Sequence, residues 1–304
     1  MKQHTNQEKK EYNKPPLTKE LHIKMLKERG MIFSNEKKAN FLFENISYYR
    51  LSGYWFEEYL DIQEKTCFKD NTLFEDAFER YCFDKELRKL VFSEIEKIEV
   101  SIRAQIINVM SLAYGPYWID NNTLFVDELE RRDFKQSLID TFIKSDELFI
   151  RSFKEKYSND LPPSWEILEL ISFGKLSKLY RNIQCAEKAI ISNYYGLPEY
   201  VLVKWLHSLA YVRNICAHHT RLWNRHISIS PILLRHSKRT WLKEQVNNNR
   251  IYFSLSIILF FLQTINPNSS FKLKIYKIIE NYPKINIIKM GFPINFEKEV
   301  LWKR

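Results

Sequence analysis

The chain has 304 residues, 47 of them Lys or Arg and 37 Asp or Glu, giving a formal charge of +10 with 45% hydrophobic and 15% aromatic side chains. Its 21 Phe, 17 Tyr and 7 Trp exclude disorder over most of the length, because that much aromatic surface must be buried or stacked. Six glycines are too few for the tight turns of a β-sandwich or barrel, so the composition points to an all-α fold.

Residues 1–14 read as a flexible basic tail, ended by Pro15 and Pro16, and hold no apolar stretch of the kind a secretory signal needs. A cytoplasmic protein is expected. Apolar periodicity predicts helices at about 17–29, 36–60, 72–114, 127–157, 164–184, 198–219, 240–265 and 270–281, with Gly30, Gly115, Gly196 and Gly291 as stops. In the longest, Thr72 and Glu75 have capping-box spacing and Asp84 marks a candidate break. Leu87, Val91, Ile95, Ile98, Ile102, Ile106 and Val109 then recur at steps of three and four, one stripe for a core. Ile227 to Ile232 alternates like a strand, but Pro231 demotes it to an edge or a loop. The apolar run from Ile251 to Ile265 is interrupted by Ser254, Ser256, Gln263 and Thr264. It is too short and too polar to span a bilayer and reads as a buried core helix, a membrane-disrupting element being the alternative.

The four cysteines, Cys67, Cys82, Cys185 and Cys216, lie too far apart in sequence to define a disulfide framework or a paired-cysteine zinc site. The excess positive charge favours polyanionic partners, nucleic acid foremost, although it equally serves solubility. Five histidines, His207, His218, His219, His226 and His236, cluster in a window that also holds Arg213, Arg221, Arg225, Trp205, Tyr211 and Trp223. Basic groups interleaved with aromatic rings suit a nucleic-acid strand whose bases stack, and equally suit a core helix with buried rings. The histidines lack the spacing of a zinc site, so no metal and no cofactor is expected.

Metal-free RNA cleavage fits these residue types. Imidazole accepts and returns a proton near neutral pH, and guanidinium grips phosphate oxygens through paired hydrogen bonds. RNICAH supplies Arg213, Asn214 and His218. On a regular helix Asn214 and His218 share a face, whereas Arg213 lies about 140° from His218. The Arg must lean across, the helix must loosen near His218, or a second copy must complete the site.

The stretches KPPLT at 14–18, ISYYRLSGYW at 46–55, FDKELRKLV at 83–91, IEKIEVSIR at 95–103, PPSWEILELISFGKLSKLY at 162–180 and RNICAHHTRLWNR at 213–225 resemble the Abi-like abortive-infection proteins of the AbiD and AbiF type, within the HEPN superfamily. The resemblance covers about residues 14–283. It implies an all-α, multi-helix bundle over residues 15–283 with its core at about 72–265, preceded by additional N-terminal helices and followed by an extension over 284–304. It further implies phage defence, a homodimer, and metal-independent cleavage of RNA with Arg213, Asn214 and His218 as catalytic residues. His219, Arg221, Trp223 and Arg225 match the motif's continuation and are expected against RNA. Some proteins of this type are linked with a small structured RNA that holds them inactive. A non-catalytic RNA-binding regulator is the competing reading.

Glu96, Glu99 and Arg103 fall on one helix face and also match the family. They serve either as an exposed ion-paired face or as a support that orients Arg213 and His218. Tyr48, Tyr49, Arg50 and Trp55 are read as packing residues, with RNA contact as the alternative.

Overall fold

Thr18, Asn35, Ser47, Asp127 and Ser172 each start a helix by lending a side-chain oxygen to an otherwise unpaired backbone N–H. The computed structural model describes Glu11, Asn13 and residues 15–304; the tail expected at 1–14 otherwise lies outside the described residues. The chain divides into two compact units, Met1–Cys82 and Phe83–Arg304. Among the described residues there are twelve α-helices and only isolated β-bridges, so the fold is all-α.

The first unit holds α1 (Lys19–Glu28), α2 (Glu36–Asn45), α3 (Tyr48–Ser52) and the start of α4 (Phe74–Tyr114). Thr18 caps α1 and Asn35 caps α2. The single helix expected over 36–60 is broken because Ile46 turns extended and Ser47 starts α3 by accepting the Arg50 N–H. Trp55 is sealed among Tyr48 and Phe74, whereas Tyr49 is exposed. The expected capping box also fails. Thr72 donates its hydroxyl to the Lys69 carbonyl, and the Glu75 carboxylate instead accepts the N–H groups of Ser34 and Asn35 at 3.1 Å.

The second unit contains the rest of α4, which continues through Asp84 without a break. It then has α5 (Glu128–Lys144), α6 (Leu148–Lys156), α7 (Ser164–Ile167), α8 (Phe173–Asn182), α9 (Ala186–Tyr194), α10 (Glu199–Ala217), α11 (Ile251–Ile265) and α12 (Phe271–Asn281). The α4 stripe at Leu87, Val91, Ile95, Ile98, Ile102 and Ile106 is buried, and α8 lies against α10. Helix α11 is buried from Ile251 to Leu262, and no helix among the described residues is long and apolar enough to cross a membrane. Trp205 packs edge-on against Phe260 and donates its indole N–H to the Ile232 carbonyl.

Two expectations change here. Residues 240–250 are not helical: the N–H groups of Lys243 and Glu244 bond to the buried Glu299 carboxylate at 3.0 and 2.8 Å, which replaces a helical turn. Residues 284–304, expected as an extension, are built into the core of this unit. Phe292, Phe296 and Trp302 stack around Tyr252, and Trp302 donates to Ser256 Oγ at 2.9 Å. Truncating so large a buried ring leaves a cavity, so Trp302→Ala should cost about 3–5 kcal/mol in urea unfolding; a loss below about 1 kcal/mol would mean that the segment contributes little to the core.

Candidate active site at the end of helix α10

Helix α10 buries Val201, Leu202, Trp205, Leu206, Leu209, Val212 and Ile215, and this apolar face fixes the direction in which its polar residues emerge. Arg213 emerges toward α4. Its guanidinium lies 5.4 Å from the Phe92 ring centroid, and its Nε stands 3.9 Å from Glu99 Oε2. Glu99 is shared: its other oxygen accepts from Arg103 Nη2 at 2.9 Å. Arg103, itself buried, is fixed by the Ile171 carbonyl at 3.0 Å and by Glu169 at 3.7 Å. Ring and carboxylate thus orient Arg213 while its side chain keeps 31% exposure.

Phe92 separates two hollows. One, of about 250 Å³, is lined by Glu96, Glu99, Val100, Arg103 and Arg213. The other, of about 270 Å³, is lined by Lys85, Arg88, Lys89, Cys216, Ala217 and His219. Successive turns of α10 therefore meet successively earlier turns of α4, and the two hollows carry contrasting charge.

The helix ends at His218. Its φ of −85° and ψ of 9° leave the helical region, and the His218 N–H still bonds the Asn214 carbonyl at 3.0 Å. His219 follows in the left-handed region at φ 55°. The His219 N–H bonds the Cys216 carbonyl and the Thr220 N–H bonds the Ile215 carbonyl, both at 3.1 Å. These bonds make a Schellman closure with His in the place usually given to Gly. His218 and Asn214 are exposed, and the His218 imidazole makes no hydrogen bond to another described residue. Of the stripe expected to support the pair, Glu99 meets Arg213, Arg103 holds Glu99, and Glu96 lines the same hollow without reaching His218.

The backbone leaving the motif is caught by a residue that the motif alone did not reveal. Asp84, with no exposure, accepts the N–H groups of Leu222 at 3.1 Å and Trp223 at 2.6 Å and pairs with Arg88. Its signal was present in FDKELR, an Asp and an Arg four apart beside the apolar Phe83 and Leu87. Further along, Arg225 donates to the Arg221 carbonyl at 3.2 Å, and Arg250 donates to Asn224 at 3.1 Å. Gly291, at φ 90°, admits Arg250, because a side chain there would lie 2.5 Å from Arg250 Cβ. Trp223, expected against RNA, is instead buried at 3% exposure with the Arg221 guanidinium 6.0 Å from its ring centroid. Its indole therefore packs and is not presented to a base. His219 is exposed, whereas Arg221 and Arg225 are half-buried.

The profile of the Abi-like protein family matches residues 41–224, more than half of the chain. The chain belongs to the Abi-like family. No curated protein and no solved structure matches it. Membership places this Abi-like chain in abortive-infection defence. The matched span holds Asp84, Phe92, Glu99, Arg213 and His218, and it stops before α11 and α12.

Among the described residues no group of three or more His, Cys, Asp or Glu is placed to hold a metal ion. Burial, with the nearby Asp84 charge, pushes the Cys216 thiol up to about 12. A thiol so shifted stays protonated at neutral pH. Iodoacetamide at pH 8 should therefore label the exposed Cys67 while sparing Cys216 until the protein is unfolded, as peptide mass mapping would show; equal native labelling would contradict the buried placement. Removing the Asp84 carboxylate takes from Arg88 an ion-pair partner and from two backbone N–H groups their acceptor. Asp84→Ala should cost about 3–5 kcal/mol in denaturant unfolding and speed amide exchange at Leu222 and Trp223; unchanged exchange there would show that the clamp does not hold this segment.

Proposed function

We propose that this Abi-like protein is a metal-independent endoribonuclease of the HEPN type and the AbiD/AbiF subtype that halts phage growth by cutting RNA. The reading is supported above all by one observation: an exposed imidazole at the end of α10, five residues from a guanidinium oriented by Glu99 and Phe92.

In this chemistry His218 removes the proton from a ribose 2′-hydroxyl, whose oxygen attacks the adjacent phosphorus while the bond to the 5′-oxygen breaks. The departing 5′-oxygen takes up a proton from the imidazolium so formed or from water, leaving a 2′,3′-cyclic phosphate and a free 5′-hydroxyl. Arg213 binds the non-bridging oxygens and stabilises the charge that builds on them, the role for which guanidinium geometry is suited. Asn214 hydrogen-bonds the phosphate or the imidazole. Lys85 and Lys89, lining the second hollow, add positive charge where a neighbouring phosphate would lie. Arg213 and His218 leave the helix on different sides, so a homodimer that joins two α10 ends around one phosphate belongs to the proposal.

Purified full-length protein freed of bound RNA should convert labelled RNA to products with cyclic-phosphate and 5′-hydroxyl ends in the presence of EDTA. His218→Ala and Arg213→Ala should each lower the rate by about 10²–10⁴-fold, with circular dichroism unchanged. Full activity in His218→Ala would overturn the assignment, and RNA binding without any cleavage by the wild type would make the protein an RNA-binding regulator instead.

A further inference from the structure

Beyond the cleavage site, α10 presents one more surface with a consistent chemistry. Tyr200, Lys204, His207, Tyr211, Asn214 and His218 recur at steps of three and four, and they form the solvent face of a helix that is otherwise largely buried. After Glu199 the helix carries no carboxylate. A merely solvated face ordinarily mixes acidic with basic residues. This one offers Lys, His, Tyr and Asn, and Tyr200 is 66% exposed.

The neighbouring elements reinforce it. Arg181, Lys188 and Lys204 line an open groove of about 700 Å³ with Tyr200, Val203 and Asn193. Lys178 lies one turn before Arg181 on α8, the helix packed against α10. Burial, and then the charges of Arg181, Lys204 and Lys178, hold the His207 pKa below its ordinary value, so these cations converge on the face. The acidic groups nearby are Glu199, in the groove, Glu130, paired with Arg181, and Asp133, which lines a hollow with Lys175 and Lys178. The cations outnumber them.

We propose that this face of α10, with Lys178 and Arg181 beside it, is a track that binds single-stranded RNA and delivers it to Asn214 and His218. The proposal rests on the ribonuclease reading for the site to which the track leads. From Tyr200 to His218 the helix rises about 27 Å, room for roughly four nucleotides, the lower end of what single-strand grooves hold. Cations along it meet phosphates, and Tyr200 offers a ring on which a base stacks without regard to its identity. A duplex would keep its bases from that ring, so the track selects unpaired RNA.

The test uses full-length His218→Ala protein, so that binding is read without cleavage, and a fluorescein-labelled unstructured 12-nucleotide RNA followed by anisotropy. Adding Lys178→Glu and Lys204→Glu, both at exposed positions, should weaken binding at least about tenfold and reduce the slope of log K against log salt by about 1.4, two phosphate contacts at 0.7 each. Tyr200→Ala should weaken it by about 5–100-fold. In the His218 background of the wild type, the same changes should leave cleavage of a dinucleotide, too short to reach the groove, unaltered. Unchanged 12-mer binding in folded variants overturns the track and leaves the nuclease reading standing. Track-dependent binding with no cleavage by the wild type supports the track and defeats the nuclease reading. Equal affinity for a 12-base-pair RNA duplex, or equal competition by polyglutamate, overturns the assignment to single strands or to RNA.

Discussion

Among the described residues, Asp84, Glu75 and Glu299 each hold two consecutive backbone N–H groups of a segment forty or more residues away, and Asp84 is the one that holds the chain beyond the candidate site. It accepts from Leu222 and Trp223 while paired with Arg88. Glu75 does the same for Ser34 and Asn35, and Glu299 for Lys243 and Glu244. With no sheet among the described residues, these carboxylates act beside the side-chain caps and the Schellman closure in satisfying the backbone where helices stop. A buried charge is tolerated only when paired and fully hydrogen-bonded. Asp84 meets that condition only while the chain leaves α10 at this one place. The same bonds therefore fix the backbone at Leu222 and Trp223, just after the turn through His218 and His219.

Along α4 the polar positions are sorted by a single ring. Lys85 and Lys89 line one hollow beside Phe92, Glu96 and Glu99 the other, and α10 contributes residues to both. Arg213 reaches over Phe92 to share Glu99 with Arg103. A guanidinium held through its Nε and stacked on a ring loses less freedom when it meets an anion, which is the physical content of a preorganised binding group. The end of α10 is thus assembled from a rigid helix, a left-handed closure and a second helix that supplies both charge signs.

Much of this was legible before the coordinates. The Leu87–Ile106 stripe, the burial of α11 and the approximate spans of α1, α4, α10 and α12 follow from apolar patterning, which the structure retains because those faces meet a core, whereas the single helix expected over 164–184 is divided into α7 and α8. The losses are equally specific. Thr72 and Glu75 have the spacing of a cap, yet Glu75 serves a distant pair of N–H groups. Asp84 resembles a helix breaker, yet it lies unbroken within α4 because its partners come from residues 222 and 223. Trp223 looks like a stacking platform, yet it is buried at 3% exposure. The misses at Glu75 and Asp84 concern partners far away in sequence, which local pattern does not encode.

The sequence by itself determined the all-α class, the apolar faces and the presence of Arg213, Asn214 and His218 at the end of one helix, since these depend on composition and on a period of 3.6 residues. Tertiary structure decided which of the α4 residues meet Arg213, that Phe92 divides two hollows, and that residues 284–304 close the core around Tyr252. Those outcomes turn on packing and on the pairing of charges between segments forty to more than a hundred residues apart, and no local regularity along the chain carries that information.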